Sequence, residues 1–318
     1  MDVLLFSLNG IAPVILTVLL GYILKRVGLF GENLISGLNQ LCFQALLPIM
    51  LFYNIQSSDF FSGFDISFVL YGICSILVIY FLSWFIAPRF IHDRGSCSSV
   101  IHTIFRSNFL QIGYALVLRL FGDSAVPCAS VMLAFTIPLF NLLAVVLLTY
   151  FGIEDHTSRR QFMLRKVISG TLHNHLFIAS LVGLLFSLCK ISIPVFLGDT
   201  LKSTGGISTT LCLLMIGAQF DPAQLKGNLR LAAITTTIKL IFIPVIFCGL
   251  AIWLNFRNEQ LGVIFLLLCA PSAVNSYIMA KSMNGNDVLA GQIVVLSTAA
   301  SAFTIFVGTF LLRSWQLI

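Results

Sequence analysis

Cys269-Ala270-Pro271-Ser272-Ala273-Val274-Asn275-Ser276-Tyr277 lies inside residues 260–280, a stretch without Asp, Glu, Lys or Arg. About 20 apolar residues cross the hydrocarbon core of a bilayer as a helix, so the stretch predicts a membrane span. Pro271 lacks a backbone donor and clashes with the turn before it, which interrupts the helix at that point. Ser272, Asn275 and Ser276 follow at once. Non-helical backbone at mid-membrane depth survives only where protein or a water-filled cavity satisfies its polar groups. The segment therefore predicts a broken helix at a polar crossing.

Working outward, seven further charge-free stretches of at least 18 residues run through 3–24, 33–58, 66–88, 124–153, 167–189, 203–220 and 288–312. Two more, 95–118 and 231–256, are interrupted once each, by Arg106 and by Lys239. The total is ten spans. Composition agrees: of 318 residues, 58% are hydrophobic and 9% charged, and mean hydropathy is +1.00. A soluble domain is about 25% charged. A soluble enzyme, a nucleic-acid-binding domain and a disordered scaffold are excluded, despite the net charge of +6. Ile264-Phe265-Leu266-Leu267-Leu268 does not alternate as a β-barrel strand must. The eight cysteines show no metal-ligand spacing and read as apolar packing residues. No metal site, no cofactor and no enzymatic motif is expected.

Only Asp2 precedes the first span, whereas Lys25 and Arg26 follow it, which predicts a retained anchor with its N-terminus outside. Ten spans then set eleven Lys and Arg on inner loops and five on outer loops. This predicts a multi-pass inner-membrane protein, N-out and C-out, surrounded by membrane lipids. The basic loop 152–170 divides the chain into five spans in 1–151 and five in 171–318. An odd number of spans per half makes the halves inverted repeats, a common transporter plan. An offset of 162 pairs Gly21 with Gly183, Asp59 with Asp221, Arg119 with Lys281 and Thr136 with Thr298. Chance matching among apolar helices is the competing explanation.

The same offset sets Gly113 of span four against Asn275 of span nine. Span four carries Arg106, Ser107, Asn108, Gln111 and Gly113, and glycine both weakens a helix and lets backbone approach closely. Two breaks at matching positions predict a site near the midplane. Asn108, Gln111, Ser272, Asn275 and Ser276 would line it, and Gly113 and Pro271 would shape the backbone. Kinks with polar helix–helix contacts are the plainer alternative.

Arg106 and Lys239 are the only charges deep within spans. A charge at the bilayer centre costs at least ~2.5 kcal/mol on insertion scales. No Asp or Glu lies within a span to pair with either, so an anionic ligand is the expected partner. The positive ends of the half-helices would add to the attraction. Two plainer roles stay open: Arg106 as an interface anchor, and Lys239 bonded to the carbonyls of a broken helix. A proton relay normally uses a carboxylate or His within a span. The coupling ion, Na+ or H+, is therefore open.

These residues resemble the auxin efflux carrier family, within the wider bile acid:sodium symporter-like superfamily. The resemblance covers the whole chain. It rests on Ile11-Ala12-Pro13 through Gly21-Tyr22-Ile23-Leu24-Lys25-Arg26-Val27-Gly28, on Leu47-Pro48, and on His173-Asn174-His175-Leu176. Lys239 with Pro244 adds to it, as do Ala270-Pro271-Ser272-Ala273-Val274-Asn275 leading to Ala280-Lys281, and Val295-Leu296-Ser297-Thr298. The resemblance implies an all-α membrane protein of ten helices as two inverted five-helix repeats, with broken helices four and nine that cross. It implies a scaffold of spans one, two, six and seven, and a mobile unit of spans three to five and eight to ten, moving as an elevator. Ala115 stands where the family commonly has proline. The long central loop of the plant proteins is absent, so auxin itself is not implied.

The expected function is secondary transport of a small organic anion, a carboxylate such as malate or malonate, by alternating access. Arg106 and Lys239 would neutralise the carboxylate. A sodium-coupled symporter of a larger organic anion and a non-transporting membrane sensor are the alternatives, and a homodimer is open.

Overall fold

The structure is a computed structural model that describes residues 2–57, 65–152, 175–221, 225, 229–283 and 285–318. The basic run of the central loop, His173, Asn174 and Asp59 lie outside the described residues. All regular elements among the described residues are helical. In chain order they begin with α1 (Asp2–Arg26) and α2 (Glu32–Leu41), which continues through a π turn at Cys42–Leu46 into α3 (Leu47–Ser57). Then follow α4 (Ile66–Phe90), α5 (Arg94–Phe105), a π turn at Phe109–Gly113 leading into α6 (Tyr114–Phe121), and α7 (Val126–Gly152). The second half holds α8 (His175–Leu188), α9 (Val195–Gln219) and α10 (Arg230–Thr237), joined by a π turn at Ile238–Phe242 to α11 (Ile243–Trp253). The chain ends with α12 (Asn258–Cys269), α13 (Val274–Ser282) and α14 (Asp287–Ser314).

Short polar turns start several of these helices by satisfying amides that the first turn leaves free. Asp65 accepts from the amides of Ser67 and Phe68 before α4, Asp93 from Ser96 before α5, and Asn286 from Leu289 before α14.

Seven helical stretches among the described residues are long and apolar enough to cross a membrane, against the ten spans expected. The shortfall has physical reasons. Expected spans four and nine are each divided by a break; the helices of span nine are too short to count, and the second part of span four runs on with span five as the single stretch Phe109–Phe151. Expected span six is described only from His175. Span seven also starts earlier than the charge gaps suggest. α9 begins at Val195, so Asp199 and Lys202 sit in its first turns, where exposed charges leave the membrane interior free.

α1 runs along α9, α8 runs along α3, and α3 packs on α9. Two glycines allow the closest approach. A Cβ on Gly21 would stand 1.9 Å from the Leu214 carbonyl oxygen, and one on Gly217 would stand 1.8 Å from that of Val18. Small residues let backbones meet in this way, which matters where lipid removes the hydrophobic drive between helices. α2 joins this group through α9, and the other helices form a second group in which α14 packs on α5, α10 and α13. At its centre α5 from Cys97 to Phe105 and α12 from Leu261 to Cys269 are buried throughout. This part of α12 is apolar on all sides, as a helix in such an interior is, whereas α5 also buries Ser98, Ser99, His102 and Thr103.

Candidate functional site

The buried helices α5 and α12 both end at the centre of the second group. α5 stops at Phe105, and Arg106 turns the chain extended (φ −81, ψ 99). α12 stops at Cys269, and Ala270 and Ala273 on either side of Pro271 and Ser272 are extended as well. The two extended segments pair antiparallel at Ser107 and Ser272. The Asn108 amide donates to the Pro271 carbonyl at 2.8 Å, and the Ala273 amide donates to the Arg106 carbonyl at 3.2 Å. Backbone groups that the breaks free are thus satisfied by each other. This matters because an unpaired buried amide or carbonyl costs about as much as a lost hydrogen bond. Beyond the pairing the chains turn helical again, at Phe109 and at Val274. Neither start has a side-chain cap, so the first amides of both half-helices stay available, with their dipoles positive.

A cavity of about 230 Å3 lies against this crossing. Arg106, Ser107, Asn108, Gln111, Ala273 and Asn275 line it from the two breaks, with Phe140 and Asn141 of α7 opposite and His175 of α8 at another wall. Gln111 and Asn275 also border a larger cavity of about 1040 Å3. That cavity reaches Lys25 and Glu32, which form the ion pair found among the described residues. A third cavity, of about 470 Å3, lies between α3, α6 and α9, where the Asn54 amide donates to the Tyr114 hydroxyl.

Arg106 is 7% exposed. Its Nη2 donates to Asn141 Oδ1 at 2.8 Å and its Nη1 to Met279 Sδ at 3.3 Å. No carboxylate pairs with it among the described residues. Beside it, the Ser107 hydroxyl and the Asn108 amide nitrogen are buried without a partner among the described residues. A buried cation flanked by unused donors, with two half-helix starts aimed at one cavity, is suited to an anion.

The predicted residues divide. Arg106, Asn108, Gln111 and Asn275 meet at the cavity. Ser272 does not line it: its hydroxyl donates to the Thr103 carbonyl at 2.7 Å and its amide donates to Ser297 Oγ at 3.1 Å, so it fastens the crossing. Pro271 contributes its carbonyl to the pairing, and Ser276 is fully buried, its hydroxyl without a partner among the described residues. Gly113 closes the π turn, where a Cβ would strike the Phe109 ring at 2.3 Å. Lys239 is 2% exposed but is not among the residues lining the cavity. Its π turn packs on α12 and α14, near Cys269 at the end of α12.

Sequence reasoning missed Asn141, Met279 and Ser297. Asn141 carried a signal: an amide at mid-span, three residues beyond Pro138. Span four breaks at Arg106–Asn108, upstream of Ala115.

Comparison with known proteins gives a consistent picture. Residues 6–308 match the family model described as membrane transport protein. An uncharacterized transporter of Methanothermobacter thermautotrophicus is 26% identical over 93% of this chain and 95% of its own length. The uncharacterized transporter YfdV of Escherichia coli K12 is 24% identical over 88% of this chain and 90% of its own. A further uncharacterized transporter, from Methanocaldococcus jannaschii, is 21% identical over 95% and 97% respectively.

Proposed function

The chain belongs to the auxin efflux carrier family of membrane transport proteins, transporters and not enzymes, and from that premise we propose that it carries a small organic anion across the membrane. The observation that carries this reading is Arg106, a buried guanidinium with no carboxylate partner among the described residues, facing the cavity at the crossing. A carboxylate such as malate or malonate would take two of its donors, as carboxylates do with guanidinium groups. Asn108, Gln111, Asn275 and the free amides of the half-helix starts would fix its orientation. Gly113, Pro271, Ser272 and Ser276 hold the crossing in shape. Lys239 supports the negative end of α12 in this reading and does not touch the anion.

Alternating access would use the two helix groups. α1, α3, α8 and α9 are the scaffold, and the group carrying the crossing moves against them as an elevator. The pairing of α1 with α9 and of α8 with α3 supports two inverted five-helix repeats, since exchanging the repeats exchanges these two contacts. With the N-terminus outside, the 1040 Å3 cavity at Lys25 is the inward approach to the site. Sodium or proton coupling is left to measurement.

The test is counterflow in proteoliposomes loaded with unlabelled malonate or malate. Labelled anion should accumulate transiently, with and without sodium compared. A sensor that binds without turnover gives no accumulation.

A further inference from the structure

We infer that Asn141 is a positioning residue for anion binding: its neutral amide holds the Arg106 guanidinium at the cavity without cancelling its charge. The inference rests on the reading of Arg106 as the cation that meets the substrate.

A buried guanidinium is ordinarily paired with a carboxylate, because an isolated charge in low dielectric is costly. Here the group that holds Arg106 is Asn141 Oδ1, at 2.8 Å from Nη2. The second contact is the thioether of Met279, a weak acceptor. A guanidinium has five donors in a rigid plane. One strong bond to a neutral acceptor therefore sets the plane and leaves donors and full charge for a ligand. The placement of Asn141 follows from α7. Thr136, Ile137, Phe140 and Asn141 form one face of that helix, and all four line the same cavity as Arg106.

The choice of amide over acid at position 141 then decides what the cavity takes. Aspartate has the same shape, but its carboxylate would form a paired, charge-assisted contact with Arg106. The cation would be neutralised from within and the cavity would no longer attract an anion. An apolar residue would leave the charge in place but the plane unheld.

The experiment reads the guanidinium directly. Purified protein is treated with 2,3-butanedione, and modification of Arg106 is followed by mass spectrometry, alone and with malonate, malate or benzoate present. Gel filtration checks folding of each variant. Wild-type Arg106 should react, and a bound carboxylate should slow the reaction. Asn141→Asp should slow it about tenfold or more without any ligand, the ratio expected for hydrogen bonds to a charged group. Asn141→Ala should react as fast as wild type but be protected less well by carboxylates, which keeps the inference testable should the aspartate variant not fold. Equal reactivity of wild type and Asn141→Asp, an unreactive wild-type Arg106, or full protection in Asn141→Ala would overturn it. A slow Asn141→Asp reaction with no protection of wild type by any carboxylate would instead sink the carboxylate reading and leave the Asn141 role standing.

Discussion

Arg106 and Lys239 look alike in the sequence, each the single charge in its span, yet they have different surroundings. Arg106 borders the cavity and its half-helix starts, whereas Lys239 is enclosed beside the end of α12. Their variants should separate accordingly. Arg106→Gln should weaken carboxylate binding about tenfold or more, the scale of a lost charged hydrogen bond, with little change in thermal stability. Lys239→Met should leave carboxylate affinity near wild type. It should change the melting temperature in detergent, because it alters a buried group packed on a helix end. Isothermal titration with malonate, paired with a melting curve for each variant, checks both. Ser272→Ala should lower stability by about 1 kcal/mol through its lost bond to the Thr103 carbonyl, without removing any group from the cavity.

At the scale of the element, the breaks were legible where a residue enforces them. Pro271 removes a backbone donor and clashes with the preceding turn, and α12 does end two residues before it, whereas Pro13 and Pro138 sit inside α1 and α7 without ending them. The break in span four has no such marker. Arg106, Ser107 and Asn108 become extended because the opposing segment supplies backbone partners, a tertiary cause that no local pattern records. The same limit explains Asn141 and Met279: their contact with Arg106 joins elements 35 and 173 residues apart in sequence. Gly21 was legible as a repeat coincidence, but its reason is the carbonyl of α9 against it. Gly21→Leu should destabilise by about 1–3 kcal/mol or more, since backbone cannot yield as a flexible side chain can; the fraction of monodisperse protein on gel filtration reports it. At the start of α5, the Asp93 carboxyl is held below its ordinary range by the hydroxyl and amide of Ser96. A folded-state pKa below the unfolded value gives stability that is present at neutral pH and lost as pH falls below about 3.9. The gap in melting temperature between wild type and Asp93→Asn should therefore narrow from pH 7 towards pH 3.

At the scale of the whole molecule, charge gaps located the helices but could not show how they group. The grouping follows from contacts: α1, α3, α8 and α9 on one side, and the helices around α5 and α12 on the other. In the proposed mechanism the crossing carries one buried positive charge that meets its anion on alternate faces. The most direct test is counterflow of labelled malonate and malate into proteoliposomes holding wild-type protein or Arg106→Gln. Transient accumulation is expected with wild type, and sharply reduced accumulation with Arg106→Gln at the same anion concentration. Equal accumulation by the two proteins, or none by wild type with either anion, would contradict this mechanism.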